Sequence, residues 1–342
     1  MPTSNAARIT GVRPLWALEG GRVSILGDGF PVNPLPPEVS IGGAPARLAF
    51  ASSRALTAVV PSGLAGGQTA VRIGGMSGET ALVEVGVPLA NGLHQVDNPA
   101  FDPSGQLFAT FSGSRGQQPP VSIYKITSAG SRLPFVTDLS NATSLAFDRN
   151  GTLYASSRFE GSVHRVNARG ESQPFASDLG VACGIAFGPD GDLFVGDRSG
   201  SILRVGPDGQ NVRLFASVPP SVAAFHLAFG PNGYLYVAAP TISSVDSLHR
   251  ISPSSDVEPF GGNFGRPQGI AFDSEGRLYV VDSLAGGSGL FRLHVDRPEE
   301  IEQLLTGGAL IGLAFDPGGG LVLSSTDSVY RFDVPLRGLL PA

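Results

Sequence analysis

The chain has 342 residues, 42% of them apolar and 15% charged, with 47 glycines and 28 prolines, a composition that fits a well-buried globular protein and excludes disorder. Its formal charge is −6 and Lys125 is its only lysine, so the clustered cations that bind nucleic acid are missing. Cys183, the only cysteine, excludes an internal disulfide and a cysteine-based zinc cluster. No run is apolar over the length a bilayer demands, and the opening MPTSNAARITGVRPLWALEGG is cut by Arg8, Arg13 and Glu19. The sequence as written therefore points to a cytoplasmic protein without membrane insertion, and periplasmic or extracellular placement would need a different start.

Residues 1–86 carry short alternating runs, among them RVSIL, VSI, ALTAVV, TAVRI and ALVEV, split by Gly and Pro turns. That pattern predicts a small antiparallel sandwich. The stretch resembles the IPT/TIG immunoglobulin-like family through Pro14, GGRVSILGDGF from Gly20 to Phe30, VSIGG from Val39 to Gly43 and AVVPSGLAGG from Ala58 to Gly67. The resemblance implies an immunoglobulin-like module of a type often used for contacts.

Over residues 87–342 one phrase recurs six times: NPAFDPSGQLFA, SLAFDRNGTLYA, GIAFGPDGDLFV, HLAFGPNGYLYV, GIAFDSEGRLYV and GLAFDPGGGLVL. Its anchors Phe101, Phe147, Phe187, Phe229, Phe272 and Phe315 are spaced by 46, 40, 42, 43 and 43 residues. A period of this size marks a repeat architecture. Within each copy two period-2 runs flank D-P-x-G or a variant, the signature of a hairpin. A third run follows (SIYKI, SVHRV, SILRV, SLHRI, GLFRL, SVYRF), then a fourth bearing Phe135, Phe175, Phe215, Phe260 or Leu304. Four antiparallel strands repeated six times predict a six-bladed β-propeller, so the whole chain is expected to be all-β. The sixth copy has only three strands. Leu89 precedes Phe101 by 12 residues, as Phe135 precedes Phe147. Val87–Asn91 is therefore expected to pair beside Val329–Phe332 as the outer strand of the last blade, closing the ring and removing its free edges. This part of the chain resembles NHL-repeat propellers and, more distantly, gluconolactonase-like calcium propellers through GIAF…DG.L.V.D; the likeness speaks to fold and not to activity.

The loops entering the first strands and leaving the second strands share one face of a propeller. Four residues before the anchors stand Asp97, Thr143, Cys183, Phe225, Gln268 and Ile311; ten after them stand Phe111, Ser157, Asp197, Ala239, Asp282 and Ser325, with Arg158 and Arg198 adjoining. From these positions, and with His226 near the predicted mouth, the ligand-binding set is Asp97, Phe111, Arg158, Asp197, Arg198, Phe225, His226, Gln268 and Asp282. Aromatic faces beside carboxylates, guanidiniums and an amide suit a polar ligand with an apolar face, such as a sugar or a peptide side chain. Plainer roles compete with each assignment. Asp97 can be a turn carboxylate, and Asp197 and Asp282 can cap turns. The cation repeated in every third strand (Lys125, Arg165, Arg204, Arg250, Arg292, Arg331) suits packing between blades.

The gluconolactonase-like resemblance implies a divalent cation held by a Glu, an Asn and an Asp at blade entrances. Asp97 falls where the Glu would stand, but Cys183 replaces the Asn and Gln268 an Asp; one carboxylate and one amide are a poor site for a hard cation. No metal, cofactor or catalytic residue is assigned, and calcium belongs only to the alternative reading. P-loop, H-E-x-x-H and G-x-S-x-G signatures are missing. Three functions remain. The absent ligand set and the fused immunoglobulin-like module favour a non-catalytic binding or scaffold protein that recognises a protein or carbohydrate ligand on the propeller loop face. The alternatives are a gluconolactonase-like, metal-dependent lactone hydrolase, or a lyase, with an atypical site, and a structural module of a cell-surface assembly. Oligomeric state is left open.

Overall fold

The computed structural model describes residues 7–76, 80–284 and 287–339, and among the described residues there is no α-helix. The chain divides into two compact units whose first break falls between Val87 and Pro88.

In the N-terminal unit, Arg8–Arg13, Arg22–Asp28, Ala55–Val59 and Leu48–Ala51 form one sheet in that spatial order. Trp16–Ala17, Ala81–Val85, Gly67–Ile73, Val39–Ile41 and Ala44–Ala46 follow one another in a second. Because side chains alternate along a strand, Val23 and Ile25, Val39 and Ile41, Val71 and Ile73, and Val83 and Val85 all point inward and are buried together with Leu56 and Ala58. Gly27 in the GDGF turn has no substitute: a Cβ there would lie 2.2 Å from the Arg8 carbonyl oxygen and 2.4 Å from the Phe30 ring.

The C-terminal unit is a six-bladed β-propeller. Blade two is representative: Ala142–Phe147, Leu153–Ser157, Ser162–Val166 and Ser172–Ala176 pair in sequence order. The D-x-x-G hairpin forms because Asp148 accepts the backbone N–H groups of Asn150 and Thr152 on Oδ1, while Gly151 closes the turn onto the Asp148 carbonyl at φ +76°. First strands of successive blades neighbour one another, and the first strand of blade one lies beside that of blade six, so the ring is complete. The last blade is assembled from both ends of the propeller sequence: Val87–Ala90 pairs with Val329–Phe332, as the missing fourth strand required. Further bonds follow the closure, from Leu93 N–H to the Asp327 carbonyl and from Gln95 N–H to the Thr326 carbonyl, both 2.9 Å.

The repeated aromatics bind blade to blade. In blades one to four the second strand places a ring edge-on against its own fourth strand and against the anchor Phe of the next blade: Phe108 meets Phe135 and Phe147, Tyr154 meets Phe175 and Phe187 with centroids 5.0 and 4.9 Å apart, Phe194 meets Phe215 and Phe229, and Tyr236 meets Phe260 and Phe272; in blade five Tyr279 meets the next anchor, Phe315. Such contacts add about 0.5–1.5 kcal/mol each beyond area burial. At the seam from blade six to blade one the ring is replaced by Val322, which packs with Phe101. The repeated cations serve this layer. Lys125 Nζ sits 4.1 Å from the Phe135 centroid, and Arg204 lies over Phe194 while pairing with Asp190 and Asp192.

Candidate ligand-binding site

Toward the channel the blades approach so closely that a side chain is excluded at several points. A Cβ on Gly184 would lie 2.2 Å from the Phe225 carbonyl oxygen, and one on Gly312 2.7 Å from Asn98 Cα; this is the structural reason for the Gly of GIAF. Where the same position is not glycine, its side chain fills the channel. Asn98 donates from Nδ2 to the Ile270 carbonyl and accepts the Leu313 N–H on Oδ1, bridging blades five and six. His226 is fully buried and donates its Nδ1–H to Asp97 Oδ1 at 2.5 Å, while its Nε2 lies 3.1 Å from Gln268 Oε1. Asp97, itself 3% exposed, also accepts the Asn98 backbone N–H at 2.7 Å. The Asp97–His226–Gln268 chain thus ties three blades together.

Gln268 is the member of that chain that reaches a cavity of about 320 Å³ at the loop end of the channel. Three families of repeat positions build its wall. Six residues before the anchors come Gln95, Val181, Ala223 and Arg266; four before them Thr143, Cys183, Gln268 and Ile311; eleven after them Arg158, Arg198, Ser283 and Thr326. Among the described lining residues none is a carboxylate. Arg158 donates to the Gly113 carbonyl at 3.1 Å and Arg198 to the Val222 carbonyl at 2.8 Å. Burial, and then the neighbouring guanidiniums of Arg198 and Arg115, hold the Arg158 pKa below its ordinary value. The imidazole of His94 is likewise lowered, by burial first and by Arg158 second.

The nine residues expected at the mouth divide. Arg158, Arg198 and Gln268 line the cavity, and Asp97 and His226 stand behind Gln268. The other four take different places. Phe225 is fully buried in the apolar layer with Phe194, Leu227 and Val237, because the first strand of blade four starts at His226 and lacks the extra residue that offsets its counterparts in blades two, three and five. Asp197 accepts the Val181 N–H and the Ser199 hydroxyl, and Asp282 accepts the N–H groups of Gly265, Arg266 and Leu284; both carboxylates clamp loops. Phe111 is half-buried against His94, with centroids 6.0 Å apart. The division is one of register: position ten after the anchor faces away from the cavity and position eleven faces it. Arg266 and Gln95 were missed, although counting the repeat six residues upstream of the anchors would have found both.

Cys183 is a buried free thiol. Burial pushes its thiol up to about 11, so roughly one thiol in a thousand is ionised at pH 8. Alkylation of the folded protein by iodoacetamide is expected to be on the order of a hundred times slower than that of the urea-unfolded chain at pH 8, and comparable rates would show that the thiol is accessible and ionised. The contribution of the neutral thiol is complete below its ordinary value of 9.0 and is lost as pH rises through 11.

The residues present do not fit a divalent cation. Asp97 is engaged by His226 and a backbone N–H, its neighbours on the wall are a neutral thiol and an amide, and three guanidiniums repel positive charge. No group of three or more His, Cys, Asp or Glu side chains among the described residues is placed to hold a metal.

Residues 7–83 match the IPT/TIG domain model, and comparison of the chain with curated proteins gives no match. Among solved structures the chain is similar to a gluconolactonase of Xanthomonas campestris at 17% identity, covering 73% of this chain and 88% of that one with a TM-score of 0.60. It is similar to an auxiliary nutrient binding protein of Bacteroides ovatus at 13% identity, covering 96% and 98% with a TM-score of 0.53. A virginiamycin B lyase of Staphylococcus aureus matches at 18% identity over 71% and 87%, with a TM-score of 0.50. At these identities the shared property is the fold alone, and the IPT/TIG assignment rests on the family model over residues 7–83.

Proposed function

We propose that this protein is a ligand-binding propeller whose mouth recognises a polar group of a carbohydrate or protein and performs no chemistry on it. The observation that carries the reading is the cavity wall, which among the described residues gathers guanidiniums, amides and hydroxyls but no nucleophile beside a base. The thiol of Cys183 is neutral. The one histidine hydrogen-bonded to a carboxylate near the cavity, His226, is fully buried behind Gln268 and does not line the wall. The fold does not choose between functions, because a lactonase, a lyase and a nutrient binding protein all share it. The chemistry of the wall favours binding, and the IPT/TIG domain supplies a second module for contacts.

The test is turnover of simple sugar lactones by the purified full chain, with and without added calcium or zinc. Hydrolysis at the rate of buffer alone is expected under every condition. Metal-dependent turnover that disappears in Asp97→Asn, a change that preserves side-chain shape, would overturn the binding reading and establish a lactonase with an unusual ligand set.

A further inference from the structure

We infer that the propeller mouth is an anion site whose ligand is a carboxylate-bearing sugar, a uronate either free or at the end of a glycan. The inference rests on the binding reading above and narrows it. In a chain with formal charge −6, Arg158, Arg198 and Arg266 converge on one cavity whose described lining contains no carboxylate. None of the three is in an ion pair among the described residues, whereas Arg204, Arg250, Arg277 and Arg292 each have a carboxylate partner. The two carboxylates next in sequence to the mouth, Asp197 and Asp282, turn their oxygens to loop N–H and hydroxyl groups and form no ion pair with these guanidiniums among the described residues. Like charges held around a partly dry concavity raise the local potential, and a bound anion relieves it. Burial first, and the Arg198 guanidinium after it, lower the pKa of Arg158 in the same sense.

A second observation is independent of charge. Gln95 lies on the cavity wall, is fully buried, and leaves Oε1 without a hydrogen-bond partner, while its Nε2 makes only a long 3.4 Å contact to the Ser325 carbonyl. A buried amide oxygen is costly to leave unmade and calls for a donor. The ligand must therefore offer hydroxyl hydrogens as well as an acid. Planar guanidiniums match a carboxylate in two-point geometry. The volume of about 320 Å³ is at the small end of ligand cavities and suits one ring rather than an extended chain.

Calorimetry on the full chain tests this with galacturonate and glucuronate against galactose, glucose and the uronate methyl esters. The acids are expected to bind at least about tenfold more tightly than the neutral sugars or esters, with affinity falling as sodium chloride is added. Arg198→Gln and Arg266→Gln, both at exposed positions, are each expected to weaken acid binding on the order of tenfold while leaving the melting temperature unchanged. Comparing a uronate monomer with its trimer separates the sources: equal affinity identifies the free acid, and a tighter trimer identifies a glycan end. Equal binding of acids and neutral sugars would overturn the anion assignment and leave the binding function standing. Tight binding of inorganic phosphate, or of a peptide carboxylate, with no binding of either uronate would overturn the sugar-acid assignment, as would no binding of any probe. Lactone turnover, measured separately, overturns the binding reading whatever the anion result.

Discussion

Replacing His226 by alanine is expected to lower the stability of the propeller by about 3–5 kcal/mol, because it strands a carboxylate in the interior. Asp97 is 3% exposed, and with the imidazole gone it keeps only the Asn98 backbone N–H among its present partners. The lost ring also leaves a void between blades one, four and five that the closely packed channel strands cannot collapse into. Asp97→Asn should cost less, about 1–2 kcal/mol, since a neutral amide needs less compensation than a charge. The chain offers a clean readout. Trp16, the only tryptophan, belongs to the N-terminal unit, and all six tyrosines lie between Tyr124 and Tyr330 in the propeller. Urea unfolding followed by near-ultraviolet tyrosine ellipticity should shift in His226→Ala while Trp16 fluorescence reports the other unit. A loss below about 1 kcal/mol would mean that the Asp97–His226 pair does not hold the channel together.

Tyr236→Ala is expected to cost about as much, 3–5 kcal/mol, through a different cause. The Tyr236 ring is fully buried and stands edge-on to Phe260 and Phe272, with centroids 5.0 and 4.9 Å away. Its removal opens a cavity at the joint between blades four and five and abolishes two aromatic contacts at once. The hydroxyl contributes less. It accepts a bond from Asn232 Nδ2 at 3.0 Å, so Tyr236→Phe should cost about 1 kcal/mol. At the seam, where Val322 holds the equivalent place, Val322→Ala removes two methyl groups and is expected to cost about 2 kcal/mol. Equal losses in Tyr236→Ala and Tyr236→Phe would show that the hydrogen bond, rather than the ring layer, joins the blades.

Local chemistry repeated in sequence was sufficient for the architecture. Period-2 alternation, D-P-x-G turns and a phrase recurring at 40 to 46 residues are short-range signals, each fixed by the backbone within a few residues. They yielded six blades, the sandwich before them and the strand at Leu89 that closes the ring. The candidate site depended on two facts that no local signal carries. The first is register. A strand reverses its side chains at each residue, so Asp197 and Asp282, ten residues after their anchors, hold loops, while Arg158 and Arg198, eleven after, face the cavity. An offset in the first strands of blades two, three and five, not shared by blade four, sent Phe225 into the core and His226 into the channel. The second is long-range pairing. Asp97 and His226 are 129 residues apart and meet only because the ring closes. Sequence alone determined the blades, since each is stabilised by contacts within one repeat and its neighbour. Only the tertiary structure decided which side chains share the mouth, because that cavity is built by all six blades at once, and the direction of each wall residue depends on the bulge and closure of strands far from it in the chain.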